Sequence, residues 1–259
     1  MYQFFIEDGQ VGKEYVTITG SDVNHIKNVL RMRPGEKIRV SSRSGQDFFC
    51  EIAELTDEFV QADILNEEAP STELPSRIYL FQALPKGDRM ESVIQKAVEL
   101  GVYEIIPVSM RYCVVKLDEK KAARKVERWQ TISETAAKQS KRSLIPRIHP
   151  VMGYPEALAY AASCDVNLVP YENERGMQAT REALAKLQPG KSISILIGPE
   201  GGFAEQEIEA ARQKMDVISL GKRILRTDTA ACCAMSMVML YLESLGEDSA
   251  RTADGEMRA

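Results

Sequence analysis

Near the start of the chain, apolar residues alternate with polar ones over short stretches, at 3–6, 15–18, 37–40, 47–53 and 59–65, separated by Gly, Asp and Ser. A period of two broken by turn residues predicts five short strands at the spacing of a small β-barrel. One stretch inside this region has a helical period instead. Val23, Ile26, Val29 and Leu30 share a face, with Ser21 as N-cap. From Arg77 onward the pattern changes: apolar runs at 77–84, 104–108, 166–169, 192–197 and 217–220 alternate with amphipathic stretches at 88–100, 118–141, 155–162, 177–187, 204–214 and 229–245. Strands alternating with helices predict an α/β domain with a mostly parallel sheet. Met90, Val93, Ile94, Ala97, Val98 and Leu100 read as core, while Cys232, Cys233, Met235, Met237, Met239 and Leu240 read as core or a dimer face.

The two regions meet at NEEAPSTELPS, residues 66–76, which is rich in proline and acid and almost devoid of apolar side chains. A linker there divides the chain into a first domain at 1–70 and a second at 77–246, followed by a polar tail, 247–259, expected to be disordered. At roughly 100–200 residues per domain, 259 residues suffice for two cores, and 44% hydrophobic with 27% charged residues excludes intrinsic disorder of the whole. No run approaches the ~18 apolar residues that cross a bilayer, and MYQFFIEDGQ lacks a basic, apolar leader, so a cytosolic, membrane-free protein is expected. The five cysteines form no CxxC pair and there are only two histidines, so no metal is expected and the thiols read as reduced and mostly buried.

Charge is uneven. Residues 1–76 carry 7 basic and 14 acidic side chains, 77–147 carry 15 and 8, and 148–259 carry 11 and 16, giving nets of −7, +7 and −5. Lys27, Arg31, Arg33, Lys37, Arg39 and Arg43 crowd into 25–43 with Glu36 as the only acid. Two basic zones in an acidic protein suit either a phosphate backbone or solvated helix faces.

The most informative stretch is ILIGPEGGF, 195–203, a buried-type strand entering a glycine-rich turn before a helix. Glycine lets a ligand approach the backbone closely, and ligands of open α/β sheets bind beyond the carboxyl ends of strands. It is neither GxGxxG nor a P-loop. A second loop, LGKRILRTDTA, 220–230, follows the next strand, so the two can line one pocket. Thr227 or Asp228 is an ordinary N-cap for the last helix, but Lys222, Arg223 and Arg226 beside a helix N-terminus oppose its dipole and suggest an anionic partner.

GPEGGF followed by LGKRILRTDTA resembles the paired signature of the SPOUT methyltransferases, and RILRTDTA is most similar to the RsmE family, which methylates N3 of a uridine in 16S ribosomal RNA. HIKNVLRMRPGEKI at 25–38, LPKGDRMESVIQKAVELGV at 84–102 and ETAAKQSKRSLIPRI at 134–148 agree with that family, so the likeness spans nearly the whole chain. The resemblance implies a SPOUT-type α/β domain with a C-terminal trefoil knot, preceded by a small PUA-like β-barrel that binds RNA. It further implies S-adenosyl-L-methionine as cofactor, a homodimer, and 16S ribosomal RNA or the small ribosomal subunit as substrate. Cofactor contacts are implied at Leu168, Val169, Pro170 and Tyr171, at Ile197, Gly198, Pro199, Glu200, Gly201 and Gly202, and at Leu220, Gly221, Lys222, Arg223, Ile224 and Leu225. Asp228 stands where many relatives carry Glu, which keeps the carboxylate.

Methyl transfer to a ring nitrogen needs in-line approach and loss of one proton, so positioning and charge stabilisation dominate over covalent catalysis. Arg226 is expected to stabilise charge developing on the uracil carbonyls, and Glu134, Asp228 and Glu200 are the carboxylate candidates for general base. RNA contacts are expected at His25, Arg31, Arg33, Lys86, Arg111, Lys138 and Arg142, with binding that weakens steeply with salt. Two other classes fit the same motifs: a non-catalytic RNA-binding protein, and a SPOUT enzyme acting on another RNA or on a ribose 2′-hydroxyl.

Overall fold

The computed structural model describes residues 1–66 and 72–256, with side chains to residue 245, and the chain forms two compact units. Residues 67–71 of the expected linker lie outside the described residues. The first unit comprises Met1–Glu73 together with Ala137–Ile145; the second comprises Leu74–Ala136 and Pro146–Ala259.

In the first unit, β1 (Tyr2–Ile6), β2 (Tyr15–Thr19), β3 (Lys37–Ser42), β4 (Asp47–Leu55) and β5 (Phe59–Asn66) form one sheet in the order β1-β3-β4-β5-β2. Among the described residues only the β1–β3 pair of this sheet is parallel. Where a barrel is expected, the end strands β1 and β2 are not joined by a ladder among the described residues. Every second residue feeds one core: Phe4 and Ile6, Val16 and Ile18, Ile38 and Val40, Phe48, Cys50 and Ile52, Val60 and Ala62. Strand alternation dictates this, since successive side chains point to opposite faces.

The helix expected here begins one residue earlier than its cap would allow. Gly20 occupies the cap position, Ser21 is already helical, and α1 (Ser21–Asn24) runs into a single π turn, His25–Val29, in which Leu30 N–H donates to the His25 carbonyl at 2.9 Å. A π turn spans five residues per hydrogen bond instead of four and rotates the chain beyond it. Val23 and Ile26 are buried, whereas Val29, expected on the same face, is 64% exposed.

The opposite face of β1, β3 and β4 carries a buried polar network. Arg39 donates to Asp47 Oδ2 at 2.6 Å, Ser41 to Asp47 Oδ1 at 2.5 Å, and Gln3 Nε2 to Ser41 Oγ at 2.8 Å and to the Arg142 carbonyl at 2.6 Å. Ser143 also donates to Asp47, and the Arg142 guanidinium sits on the Glu73 carboxylate at 2.5–3.0 Å.

The second unit follows the expected alternation: β6 (Arg77–Ala83), α2 (Arg89–Glu99), β7 (Val102–Ser109), α3 (Glu119–Ser140), β8 (Arg147–Ile148), β9 (Met152–Gly153), α4 (Tyr154–Ala161), β10 (Val166–Pro170), α5 (Gln178–Leu184), β11 (Ser192–Ile197), α6 (Glu205–Arg212), β12 (Asp216–Ile218) and α7 (Thr227–Glu256). All pairings are parallel, in the order β12-β10-β11-β6-β7-β8, with β9 also on β7. The central strands are buried on both faces: Ile193, Ile195, Leu196 and Ile197 on β11, and Ile78, Leu80, Phe81 and Ala83 on β6. β8 and β9 escape a reading by period because two residues have none.

α2 buries Met90, Val93, Ile94, Ala97 and Val98, and α7 buries Ala231, Ala234, Met235, Val238 and Leu242, while Leu240 and Cys233 face outward. α7 is helical to Glu256, through most of the stretch expected to be disordered, and residues 257–259 lie outside the described residues. Once a helix is nucleated, each further residue adds a hydrogen bond at low cost, and EDSARTADGE has no proline to stop it. Among the described residues no helix is long and apolar enough to cross a membrane.

Candidate functional site

Loops leaving the carboxyl ends of β6, β10, β11 and β12 surround one cavity of about 780 Å³. It lies at the strand edge where open α/β sheets bind ligands, and its size is that of a small-molecule site. From the β10 loop come Pro170, Tyr171, Glu172, Asn173 and Arg175; from the β11 loop, Gly198 to Phe203; from the β12 loop, Leu220 to Arg226. Lys86 and Arg89 close it from the β6 side, and Thr227 and Ala230 from the first turn of α7.

The β11 loop is fixed by bonds that reach far along the chain. Glu200 Oε1 accepts the Lys86 backbone N–H at 2.9 Å and the Arg89 guanidinium at 2.6 Å. Burial pushes the Glu200 pKa up, but the Lys86 N–H and the other donors, Arg89 among them, outweigh it and leave the carboxyl below its ordinary value. Thr227 Oγ1 donates to the Gly198 carbonyl at 2.8 Å and accepts from the wholly buried Gln82 amide at 3.0 Å. That hydroxyl ties the ends of β6 and β11 to the start of α7 and does not act as the helix cap expected from its position. Glu207 extends the scaffold: Oε2 accepts the Ala204 N–H at 3.0 Å, Oε1 accepts the Arg111 N–H at 2.9 Å. Tyr171 and Phe203 meet edge to face at 6.1 Å between ring centroids, and the Arg212 guanidinium lies 5.7 Å above the Tyr171 ring.

The cavity gathers every residue expected to hold a cofactor except Leu168 and Val169, which are fully buried inside β10 and act as core. Ile224 is in the cavity wall yet 87% exposed, so its side chain projects to solvent. Of the catalytic candidates, Arg226 lines the cavity, whereas Asp228, in the first turn of α7, and Glu134, on α3, are not among the residues that line it. Asp228 is already helical, the second residue of α7, so it too departs from the cap reading, and its buried Oδ1 has no hydrogen-bond partner among the described residues. Sequence reasoning missed Arg89, Glu172, Asn173, Arg175, Phe203 and Ala230. Three of them stand inside the motifs, Arg89 in LPKGDRMESVIQKAVELGV, Phe203 in GPEGGF and Ala230 in LGKRILRTDTA, whereas Glu172, Asn173 and Arg175 carry no signal.

The wall fits a sulfonium cofactor with an adenosyl group. Backbone edges of three loops and the apolar Pro170, Ile197, Phe203, Leu220 and Leu225 offer an apolar cradle for the adenosyl group, Glu172 and Glu200 stand as carboxylates in a wall whose other charged residues are cations, and the loop sequences lack a phosphate-binding lysine motif.

The expected RNA contacts divide into two kinds. His25, Arg31, Arg33, Lys86 and Arg111 are exposed, and Arg31 is held at φ 54°. Lys138 is half-buried against Asp22 at 3.3 Å. Arg142 overturns its assignment: only 3% exposed and locked on Glu73, it is an internal strut. The same applies to Arg39, counted in the first basic zone but buried against Asp47.

A family model described as an RNA methyltransferase domain matches residues 72–239, and one described as an RNA methyltransferase PUA domain matches 18–65. The ribosomal RNA small subunit methyltransferase E of Bacillus subtilis (strain 168) is 38% identical over 255 residues, covering 96% of this chain and 100% of its own. Its namesake in Mesomycoplasma hyopneumoniae (strain 232) is 34% identical, covering 89% of this chain and 96% of its own. Among solved structures, the ribosomal RNA small subunit methyltransferase E from Neisseria gonorrhoeae bound to S-adenosyl methionine superposes with a TM-score of 0.80 at 34% identity, covering 93% of this chain and 97% of its own.

Proposed function

Since the chain belongs to the RNA methyltransferase family of the ribosomal RNA small subunit methyltransferase E proteins, we propose that it methylates N3 of a uridine in 16S ribosomal RNA, using S-adenosyl-L-methionine. The observation that carries this is the cavity itself: three strand-end loops, each expected from the motifs to hold the cofactor, converge on one wall. The reading includes a SPOUT-type trefoil knot in the second unit, an RNA-binding role for the PUA-like unit, and a homodimer working in the cytoplasm.

The bound cofactor supplies a methyl group on a sulfonium, already activated for attack. The chain must add placement, exclusion of water and management of one proton. Backbone groups of the loops at 170–175, 198–203 and 220–226 hold the adenosyl group. Arg226, on the cavity wall with no ion pair among the described residues, offsets negative charge spreading onto the uracil carbonyls as N3 loses its proton. Of the carboxylates, Glu200 is already engaged by two donors and serves as an anchor. Asp228 sits just behind the wall residues Arg226 and Thr227, and its buried Oδ1 is engaged by no donor among the described residues, which makes it the remaining acceptor for the N3 proton.

The deciding experiment supplies labelled S-adenosyl-L-methionine with unmodified 16S RNA or assembled small subunits and identifies the product nucleoside by mass spectrometry. The expected product is N3-methyluridine at one site. A 2′-O-methyl nucleoside, or labelling of another RNA only, would replace the substrate assignment; absence of cofactor binding would overturn the enzyme assignment. In single-turnover assays Arg226→Ala and Asp228→Asn are expected to slow transfer by about 10²-fold or more, whereas Glu134→Gln is not.

A further inference from the structure

Tyr112 is an exposed aromatic residue fixed against the cavity's rim. It is 47% exposed, and its neighbour Val114 is 60% exposed. The backbone of Gly201, in the cavity wall, comes so near that a Cβ there would lie 2.9 Å from the Tyr112 Cβ and 3.3 Å from its carbonyl oxygen. The Tyr112 main chain is pinned on both sides. The Arg111 N–H is held by Glu207, which also caps α6, and the Cys113 N–H donates to the Met110 carbonyl at 3.2 Å. Cys113 itself is buried, and its thiol pKa is raised by that burial. A short loop held this tightly pays little entropy on binding, and no intramolecular ring contact engages Tyr112 among the described residues.

We propose that the Tyr112 ring is a stacking platform for an unstacked nucleobase of the RNA, the base presented to the cavity or its immediate neighbour. This rests on the RNA-methylating reading and deepens it, since enzymes that modify a base take it out of its stack and replace the lost neighbours with aromatic or apolar side chains. A ring at the rim, with the exposed Arg111 beside it for the backbone phosphate, has the chemistry that single-stranded RNA recognition uses.

Tyr112→Ala tests this, because alanine keeps the Cβ and carbonyl that lie nearest Gly201 and removes the half-exposed ring, of which Cγ comes nearest that position, at 3.7 Å. The expected result is a KM for RNA, and a dissociation constant, raised about 5- to 100-fold, the range of one base–aromatic stack. Tyr112→Phe should restore both, and cofactor affinity, melting temperature and oligomeric state should stay as in the wild type. An unchanged RNA KM in Tyr112→Ala overturns the platform. So does a parallel loss of cofactor affinity, which would make the ring a wall support, or a changed oligomeric state, which would make it an interface between copies. Wild-type protein that methylates no RNA in the same assay would instead sink the reading beneath it.

Discussion

Gly198→Ala asks whether the cavity wall is as tight as its geometry indicates. A Cβ at position 198 would lie 2.6, 2.9 and 3.1 Å from three carbons of the Phe203 ring. Carbon atoms settle at about 3.5–4.0 Å, so the ring edge must withdraw by about 1 Å. It has little room, since Phe203 is only 9% exposed and stands edge-on against Tyr171, and both rings line the cavity. Overpacking of this kind costs about 1–3 kcal/mol. Gly198 is not among the glycines with positive φ, so alanine also narrows the unfolded ensemble and returns about 0.4–1 kcal/mol. The expected net loss is about 0–2.6 kcal/mol, which at ~2–4 °C per kcal/mol for a chain of this size lowers the melting temperature by up to about 10 °C. Cofactor affinity should fall further than stability, by about 10- to 100-fold, because the displaced ring moves along the wall that holds it. Thermal unfolding and calorimetric titration with S-adenosyl-L-methionine read the two effects. Adding Phe203→Leu should recover part of both, with a coupling of about 1 kcal/mol in the double-mutant cycle. Wild-type melting and affinity in Gly198→Ala, or strict additivity in the cycle, would refute the contact.

Thr227→Val keeps the shape of the side chain but removes the hydroxyl shared by the Gly198 carbonyl and the buried Gln82 amide; a loss of about 1–3 kcal/mol is expected in denaturant titration, and none if the hydroxyl is idle. Glu200 has its folded pKa below the ordinary 4.5, so it contributes stability above that value and loses it as the pH falls through the folded one; the stability of Glu200→Gln should therefore fall less steeply than wild type on the acid side of pH 4.5, and parallel curves would contradict it. Arg142→Ala should destabilise the protein by about 3 kcal/mol by stranding Glu73, seen as a lower melting temperature, whereas a phosphate-contact role would weaken RNA binding with melting unchanged.

Where local period decides structure, the chain was readable. β2 begins where alternation begins, β11 occupies the expected stretch, and α2 buries the apolar stripe Met90, Val93, Ile94, Ala97 and Val98. The misses share a cause, which is dependence on partners distant in sequence. Val29 faces solvent because a single π turn shifts the register, and no apolar pattern encodes that turn. Thr227 resembles a cap by neighbourhood, yet its hydroxyl is claimed by Gln82 and Gly198, 145 and 29 positions away. Arg89 joins the site only because Glu200 lies 111 positions further on. The glycine loops were legible as a site because their function is written in their own backbone.

Charge shows most clearly what a linear count loses. The segment 77–147 has a net of +7, but at the cavity it contributes Lys86 and Arg89, and Arg89 is neutralised by Glu200. Segment 148–259 has a net of −5, yet it supplies Arg175, Lys222, Arg223 and Arg226 to the cavity wall, all exposed and none in an ion pair among the described residues. With a Debye length of about 8 Å at physiological salt, a phosphate at the rim senses those four cations and Lys86, against Glu172 in the same wall, and little of the remote acids. Local placement therefore outweighs the net charge of −5 in drawing an anionic strand to the cavity, and the same logic removes Arg39 and Arg142 from the surface field despite their place in the basic runs. The sign of the field at the site is set by which cations lack a carboxylate, a property of the folded chain that no window of sequence contains.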